Sequence, residues 1–264
     1  MTSEHKGTAL VTGASSGIAA IYADRLARQG YDLILVARNA GKLRSLAGAI
    51  SDTSGRSVEV FPADLANGAD LRKVENLLRT DASITMLINN AGIGATAPLL
   101  ASDVDAMQSM IDINVTAPMR LAYAAAPGFV SRGGGTIVNI SSMVAISPET
   151  LNGVYGGSKA FVLAFSQSLH HELADKGIRV QAVLPGATAT DFWGLAGTPV
   201  EHLPSEIVMP AEAMVDAALA GLKLGELVTI PSLPDIADWQ AFEAARNALK
   251  PKLSLGAPAK RYAA

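Results

Sequence analysis

Thr12-Gly13-Ala14-Ser15-Ser16-Gly17-Ile18-Ala19 is the stretch of sequence that decides the fold. It follows a short apolar run, Thr8–Thr12, and it opens a helical stretch, Gly17–Gly30. Glycines at such a turn let the backbone bend sharply and approach a pyrophosphate, and the helix N-terminus offers free N–H groups. The spacing differs from the common Gly-x-Gly-x-x-Gly, so these residues alone leave an ordinary glycine-rich turn as an equal alternative.

Short apolar runs alternate with helical stretches along most of the chain. The further strand candidates are Asp32–Ala37, Ser57–Pro62, Ile84–Asn89, Thr136–Ser141, Ile178–Leu184 and Leu227–Ile230. Helical stretches between them include Asp70–Thr80, Val104–Ser131, Gly153–Lys176 and Ala211–Leu224. Uniformly apolar strands are typical of parallel sheets covered on both faces. The pattern predicts an α/β fold, a single doubly wound, Rossmann-type domain of residues 1–264, with a seven-stranded parallel sheet and helices on both faces.

Two regions depart from this alternation. Residues from about 187 to 210 form a long connection rich in Gly and Pro at the carboxyl end of a strand, where open α/β sheets bind ligands. We predict that this segment is a substrate lid. Residues from about 232 to 264 form a tail with one predicted helix, near Asp235–Lys250. An apolar stripe on that helix is expected to pack on its own subunit or on a neighbour.

Composition excludes several classes of protein. The chain has 49% hydrophobic and 17% charged residues and a net charge of −3, which argues against disorder and against a nucleic-acid or anionic-membrane surface. Apolar stretches break before about 18 residues, so no transmembrane helix is predicted. The absence of cysteine excludes disulfides, thiol catalysis and Cys-ligated metals. No secretory signal is evident, which favours a cytoplasmic location. The four histidines lack metal-ligand spacing, and we predict no metal.

Tyr155 and Lys159 are four residues apart within a helical stretch. Residues at this spacing share one helix face, with Cβ atoms about 5–6 Å apart. An ammonium close to a phenol typically lowers the phenol pKa by roughly 1–3 units, which would make Tyr155 a usable general acid/base. Alone, the pair also fits a solvated lysine beside a half-buried tyrosine.

An ordered set of motifs resembles the short-chain dehydrogenase/reductase family. The motifs cover residues 8 to about 190 and are Thr12-Gly13-x-x-x-Gly17, Asn89-Asn90-Ala91-Gly92, Asn114, Ser142, Tyr155-x-x-x-Lys159 and Pro185-Gly186. The family usually has a third glycine where this chain has Ala19. That position serves close helix–strand packing, so we expect a small effect on cofactor geometry.

The resemblance implies a nicotinamide cofactor and its binding residues. These are Gly13, Ser15, Ser16, Gly17, Ile18, Arg38, Asp64, Leu65, Asn90, Ala91, Gly92, Tyr155, Lys159, Pro185, Gly186, Thr188 and Thr190. An NAD enzyme usually has an acidic residue at about Ala37 to bind the ribose 2′-OH, and this chain has none. Arg38 instead suits a 2′-phosphate, so we predict NADP(H) in preference to NAD(H).

The resemblance also assigns catalytic roles. Tyr155 would exchange a proton with the substrate oxygen, Lys159 would lower the Tyr155 pKa and bind the nicotinamide ribose, and Ser142 would donate to the carbonyl oxygen. Ser142 is chosen over Ser141 because it precedes Tyr155 by the family's usual 13 residues and because strand alternation turns the two apart. Asn114 resembles the residue that holds a water in a proton relay, with a helix-kink asparagine as the alternative.

The substrate is less well defined. Candidate pocket residues are Val144, Ile146 and Ser147 and, in the lid, Phe192, Trp193 and His202. Phe192 and Trp193 indicate an apolar or aromatic ligand, with lid packing equally open. Oxoacyl-thioester reductases of the family commonly end in a Val-Asp-Gly-Gly-like segment, whereas this chain reads Thr229-Ile230-Pro231-Ser232.

These observations predict an NADPH-dependent carbonyl reductase or alcohol dehydrogenase that acts on a small, apolar substrate. The alternatives are a non-catalytic NADP(H)-binding sensor, a 3-oxoacyl-thioester reductase, and an isomerase or dehydratase that oxidises its substrate transiently. Family members are usually dimers or tetramers built partly on the Tyr155 helix, so the resemblance implies a homodimer or homotetramer.

Overall fold

The computed structural model describes residues 5–262, which divide into two compact units, one up to Pro231 and one from Ser232 onwards. The first unit begins with β1 (Thr8–Thr12), α1 (Gly17–Arg28), β2 (Asp32–Ala37), α2 (Ala40–Ser54), β3 (Val58–Pro62), α3 (Gly68–Thr80) and β4 (Ile84–Asn89). It continues with α4 (Val104–Ile111), α5 (Ala117–Ser131), β5 (Gly135–Ile140), α6 (Gly153–Leu173), β6 (Ile178–Val183), β7 (Thr188–Ala189), α7 (Phe192–Ala196), β8 (Met209–Pro210), α8 (Ala211–Leu224) and β9 (Val228–Thr229).

Seven strands form one parallel sheet in the order β3-β2-β1-β4-β5-β6-β9. This confirms the predicted fold class, and the predicted strands lie within one or two residues of the observed ones. The strand order reverses between β1 and β4, which is where doubly wound sheets bind their ligands. The pairing of β7 with β8 inside the lid was not predicted.

The sheet carries a hydrophobic core on each face. Successive residues of β1 belong to the cores on opposite faces of the sheet. Val11 packs in one core with Leu26 and Met214, and Leu10 packs in the other with Val74 and Phe129. The uniformly apolar strands therefore have the two-sided burial that the sequence predicted. Ala19 is fully buried in the first core, in keeping with a packing role for that position.

The stretch predicted as one helix, residues 104–131, contains a π turn at Asp112–Thr116 between α4 and α5. Such turns are frequent at functional sites. Asn114 lies in this turn and is buried. None of the helices in the described part of the chain is long and apolar enough to cross a bilayer.

Stacked aromatic residues, one exposed and two half-buried, lie on α5 and α6. Tyr123 is 69% exposed, and its ring stacks on Phe165 at a centroid distance of 6.3 Å. Phe161 stacks on Phe165 in turn, at 5.6 Å. The homodimer or homotetramer built on α6 stays a prediction.

The second unit contains α9 (Ile236–Leu249), within one residue of the predicted tail helix. The side chain of Asp235 accepts a hydrogen bond from Ala237 N and caps the helix. Trp239 and Phe242 stack at 5.3 Å, and no residue of α9 is buried. The packing of its apolar stripe on a subunit also stays a prediction.

Candidate active site

A cavity of about 940 Å³ lies at the carboxyl ends of the central strands. Nine predicted cofactor residues line it: Gly13, Ser15, Ser16, Arg38, Asp64, Leu65, Ala91, Gly92 and Thr190. The segment of residues 187–210 contributes lining residues that were not predicted, among them Ala189, Asp191, Leu195, Val200 and Glu201. Other predicted cofactor residues are not among the lining residues: Gly17, Ile18, Asn90, Tyr155, Lys159, Pro185, Gly186 and Thr188.

The phosphate turn depends on two glycines and on an uncapped helix. Gly13 and Gly17 have φ of 71° and 59°, a conformation that other residues rarely adopt. A Cβ on Gly13 would lie 2.9 Å from Ala91 Cα. Ser16 makes no side-chain cap on α1, and the first turn has no acidic residue. The free N–H groups of that turn therefore suit a pyrophosphate.

The turn is fastened to the end of β4. Thr12 Oγ1 accepts hydrogen bonds from Asn90 N and Ala91 N at 3.0 and 3.1 Å and donates to Ile88 O at 3.1 Å. Asn90 Nδ2 donates to Thr12 O at 3.3 Å. The side chain of Asn90 thus holds the turn in place. Ile18 helps to hold the first turn of α1 in place, because it packs against the core below α1.

Basic side chains stand at the end of the cavity formed by β2. Arg38 is exposed, and Lys42, which was not predicted, lines the same wall. Asn39 accepts a hydrogen bond from Lys42 N at 3.0 Å, which caps α2 and orients this corner. Neither cation forms a salt bridge with any residue that the structure describes. The arrangement suits an anion such as a 2′-phosphate.

Tyr155 lies in the first turn of α6, whose N-terminus is capped by Asn152. Burial raises the Tyr155 pKa to about 12, and a hydrogen bond with Ser142 acts in the opposite direction. Burial also lowers the Lys159 pKa to about 8. Lys159 Nζ is 5.7 Å from the Tyr155 ring centroid and donates to Ile140 O at 3.0 Å. The expected lowering of the Tyr155 pKa by Lys159 is therefore wrong for this arrangement, because desolvation outweighs any effect of the amine.

Ser141 and Ser142 differ in how firmly their hydroxyls are held. Ser141 Oγ donates to Lys159 O at 2.7 Å. Ser142 Oγ makes only long contacts to the backbone, at 3.5 Å to Pro185 O and 3.4 Å from Val144 N, besides its hydrogen bond with Tyr155. Ser142 therefore has a hydroxyl available beside Tyr155, whereas the Ser141 hydroxyl supports the backbone of α6.

Asn114 connects the end of β4 with α6. Its amide donates to Ile93 O at 2.8 Å and to Ser158 Oγ at 3.1 Å, and its oxygen accepts from Ile93 N at 2.9 Å. A Cβ on Gly92 would lie 3.1 Å from Asn114 Oδ1 and 3.5 Å from Lys159 Nζ. Asn114 thus positions the backbone beside Lys159, and its role in a water relay stays a prediction.

The chain after β6 crosses from the catalytic residues to the phosphate turn. Pro185 O accepts a hydrogen bond from Met143 N at 2.9 Å, and Thr188 Oγ1 donates to Gly186 O at 3.2 Å. Thr190 reaches Gly17, where a Cβ would lie 3.4 Å from Thr190 Cγ2. The predicted Pro185–Thr190 segment therefore spans the opening from Ser142 to the first turn of α1.

An apolar cluster surrounds Tyr155, and we call it the Tyr155 cluster. Its members are Tyr155, Met110 and Val144, with Ile93, Ala95, Met107, Met143, Leu151, Val154 and Phe192 packed against them. The structure thus brings together Val144, Phe192 and Tyr155, as predicted for the substrate pocket. Its methionines were missed, although Met107 and Met110 stand at i, i+3 in α4.

The other predicted substrate residues lie outside the Tyr155 cluster. Ile146 is 40% exposed, and Ser147 Oγ bonds to Glu149 at 2.9 Å. Trp193 packs edge-on against Phe192 and donates from Nε1 to Thr188 O at 3.1 Å. His202 is exposed in a short 3₁₀ turn and does not line the cavity. Within residues 5–262, no three His, Asp or Glu side chains gather as metal ligands would.

Comparison with known proteins places these residues in context. A family model described as short chain dehydrogenase matches residues 7–198. A short-chain dehydrogenase from Sphingobium yanoikuyae in complex with NADPH is 49% identical, with a TM-score of 0.94, over 97% of this chain and 99% of that chain. The bulky-bulky ketone specific alcohol dehydrogenase from Comamonas testosteroni is 42% identical, with a TM-score of 0.91, over 99% of this chain and 100% of that chain.

Curated relatives match a smaller share of the chain. The very-long-chain 3-oxoacyl-CoA reductase of Anas platyrhynchos is 37% identical over 186 residues, which are 69% of this chain. The match covers 60% of the length of that relative.

Proposed function

Because the chain belongs to the short-chain dehydrogenase/reductase family of oxidoreductases, we propose that it transfers hydride between NADP(H) and a ketone or the corresponding secondary alcohol. The observation that carries this proposal is the pair of hydrogen-bonded hydroxyls on Tyr155, in the first turn of α6, and Ser142, just after β5. One hydroxyl is needed to exchange the proton and one to stabilise the developing charge.

The protein's own residues perform the proton chemistry. With a pKa of about 12, Tyr155 is protonated at neutral pH and is ready to donate to the carbonyl oxygen during reduction. The loosely held Ser142 hydroxyl donates to the same oxygen. Lys159 Nζ, fixed by Ile140 O, lies close to Gly92, and its remaining hydrogens would be available to the ribose of a bound cofactor. Bound NADPH would supply the hydride.

The cofactor is proposed to be NADP(H) rather than NAD(H). Arg38 and Lys42 provide positive charge where the 2′-phosphate would lie, and Ala37 offers no carboxylate for a free ribose hydroxyl. The Sphingobium yanoikuyae relative, solved in complex with NADPH, supports the same assignment.

The substrate is proposed to be a ketone with large apolar groups on both sides of the carbonyl. Two lines of support favour this class: the Tyr155 cluster is apolar and rich in adaptable methionines, and the Comamonas testosteroni relative is named for bulky-bulky ketones. A 3-oxoacyl thioester is the second candidate, because a curated relative is named a 3-oxoacyl-CoA reductase.

Loss of NADPH absorbance across a panel of ketones tests the proposal. The panel contains diaryl and aryl-alkyl ketones, small ketones and a 3-oxoacyl-CoA. We expect turnover of bulky ketones, and Tyr155→Phe should lower kcat by about 10³-fold or more while the Kd for NADPH changes little. Tyr123→Phe makes the same chemical change at an exposed site and should leave kcat unchanged.

Other outcomes identify the alternatives. Preferred turnover of the 3-oxoacyl-CoA would favour the second candidate. NADPH binding without turnover of any compound would indicate a sensor protein. Full activity of Tyr155→Phe would remove Tyr155 from the mechanism.

A further inference from the structure

The backbone conformation at Gly94 does not require a glycine. Its φ is not in the positive range that favours glycine. A Cβ built there would nevertheless overlap the ring of Phe192, lying 2.8 Å from Cε2 and 3.1 Å from Cε1. The missing side chain of Gly94 therefore makes room for the Phe192 ring.

The seated ring also faces the catalytic tyrosine. Phe192 and Tyr155 have ring centroids 5.8 Å apart and planes tilted by 44°. Trp193 also contacts Phe192, edge-on, at 5.8 Å and 90°. The ring thus stands between the loop after β4 and Tyr155, as part of the Tyr155 cluster.

Hydrogen bonds hold the loop after β4 and the segment of residues 187–210 in place around the contact between Gly94 and Phe192. On one side Asn114 holds both backbone groups of Ile93. On the other side Thr96 N and Oγ1 donate to Ala196 O at 3.0 and 3.1 Å, and Thr198 Oγ1 donates to Thr96 Oγ1 at 3.0 Å. The loop is therefore tied to the catalytic helix and to the end of α7 at once.

We propose that Phe192, seated on Gly94, sets the size of the substrate pocket above Tyr155. Phe192 is the specificity-determining wall, and Gly94 is a positioning residue that acts through it. This deepens the ketone reduction proposed above and rests on it.

A double-mutant cycle tests the proposal in steady-state kinetics with NADPH and ketones of graded size. Gly94→Ala should lower kcat/KM by about 10-fold or more, because it displaces the ring next to the reacting centre. Phe192→Ala should raise kcat/KM for the bulkier ketones relative to the smaller ones by about 10-fold. In the Phe192→Ala background, Gly94→Ala should change kcat/KM by less than about twofold, since the added methyl group meets no ring.

Gly48→Ala provides the matched control, because Gly48 lies on α2 and an added methyl group would have no neighbouring atom within 4 Å. It should leave the kinetics unchanged. Equal losses from Gly94→Ala with and without Phe192 would overturn the proposal, as would an unaltered size profile in Phe192→Ala. Should Gly94→Ala fail to fold, the double variant is still expected to fold.

A readout without turnover separates this inference from the proposed function. The chain has two tryptophans, so in a Trp239→Phe background the fluorescence reports Trp193 alone. Gly94→Ala should shift the Trp193 emission, and the shift should vanish when Phe192→Ala is also present. If no ketone is reduced but these shifts occur, the proposed function is wrong, whereas the contact between Gly94 and the Phe192 ring is supported. Unchanged emission in Gly94→Ala would show that Gly94 does not make room for the Phe192 ring.

Discussion

The two ends of the site are constructed differently. At the phosphate end, binding groups are left open: Ser16 makes no cap on α1, and Arg38 is exposed without a described salt bridge. At the chemical end, polar groups are buried and tied together: Asn114, Ser141 and Lys159 each bond to backbone carbonyls. The open end relies on backbone shape and surface charge, whereas the closed end relies on buried side chains.

This difference predicts how each end responds to substitution. Removing an exposed cation removes one contact to a ligand and leaves the fold unaffected. Removing a buried partner leaves a polar group unsatisfied, which costs about 1–3 kcal/mol. Substitutions of the exposed cations at the phosphate end should therefore change cofactor affinity alone, and those at the chemical end should separate into catalytic and structural effects.

Ser142→Ala and Ser141→Ala test that separation most strongly. Ser142→Ala should lower kcat by about 10²–10³-fold with little change in stability, because it removes a donor to the substrate oxygen. Ser141→Ala should instead lower the free energy of unfolding by about 0.5–1.5 kcal/mol, because the buried hydrogen bond from Ser141 Oγ to Lys159 O is lost. Ketone kinetics and urea unfolding measure the two effects. A larger kcat loss in Ser141→Ala would reverse the assignment of the two hydroxyls.

Arg38→Ala tests the open end. The Kd for NADPH should rise by about 10–100-fold, the range expected for one hydrogen bond to a charged group, and the Kd for NADH should stay within about twofold. Unfolding by urea should be unchanged. Arg44, exposed on α2 and not among the lining residues, gives the control variant Arg44→Ala. Equal weakening of both cofactors would show that Arg38 does not read the 2′-phosphate.

Lys159 gives the smallest effect, in the pH dependence of stability. Its pKa falls from an ordinary 10.5 to about 8 on folding, so the unfolded chain binds more protons between these values. Lys159 therefore contributes a rise in stability with pH in this window, by about 1–2 kcal/mol from pH 8 to pH 9.5. Urea unfolding of the wild type and of Lys159→Met measures the difference. Parallel curves for the two proteins would show that Lys159 is not buried in the way described.

Much of the fold was predictable because its signals are local. Uniformly apolar strands such as Asp32–Ala37 and the glycine turn after β1 fix a doubly wound sheet with few alternatives. The candidate site was predictable in part for the same reason, since Tyr155 and Lys159 share one helix and Ser142 ends the neighbouring strand.

Other features depend on contacts between distant parts of the chain. No local pattern predicts that Gly94 makes room for the ring of Phe192, 98 positions later, or that Met107 and Met110 pack near Tyr155. The direction of the Tyr155 pKa shift was misjudged because burial, not the spacing to Lys159, dominates it. The lid pairing of β7 with β8 joins segments too short to show periodicity.

The π turn at Asp112–Thr116 has a consequence for redesign. Deleting one residue there would restore a regular α-helical ladder, but it would rotate the residues on one side of the deletion by about 100° relative to the other. Asn114 could then no longer reach Ile93 while α5 kept its apolar face on the sheet. Straightening this helix to gain thermal robustness would thus disconnect the loop over the cofactor from the catalytic helix.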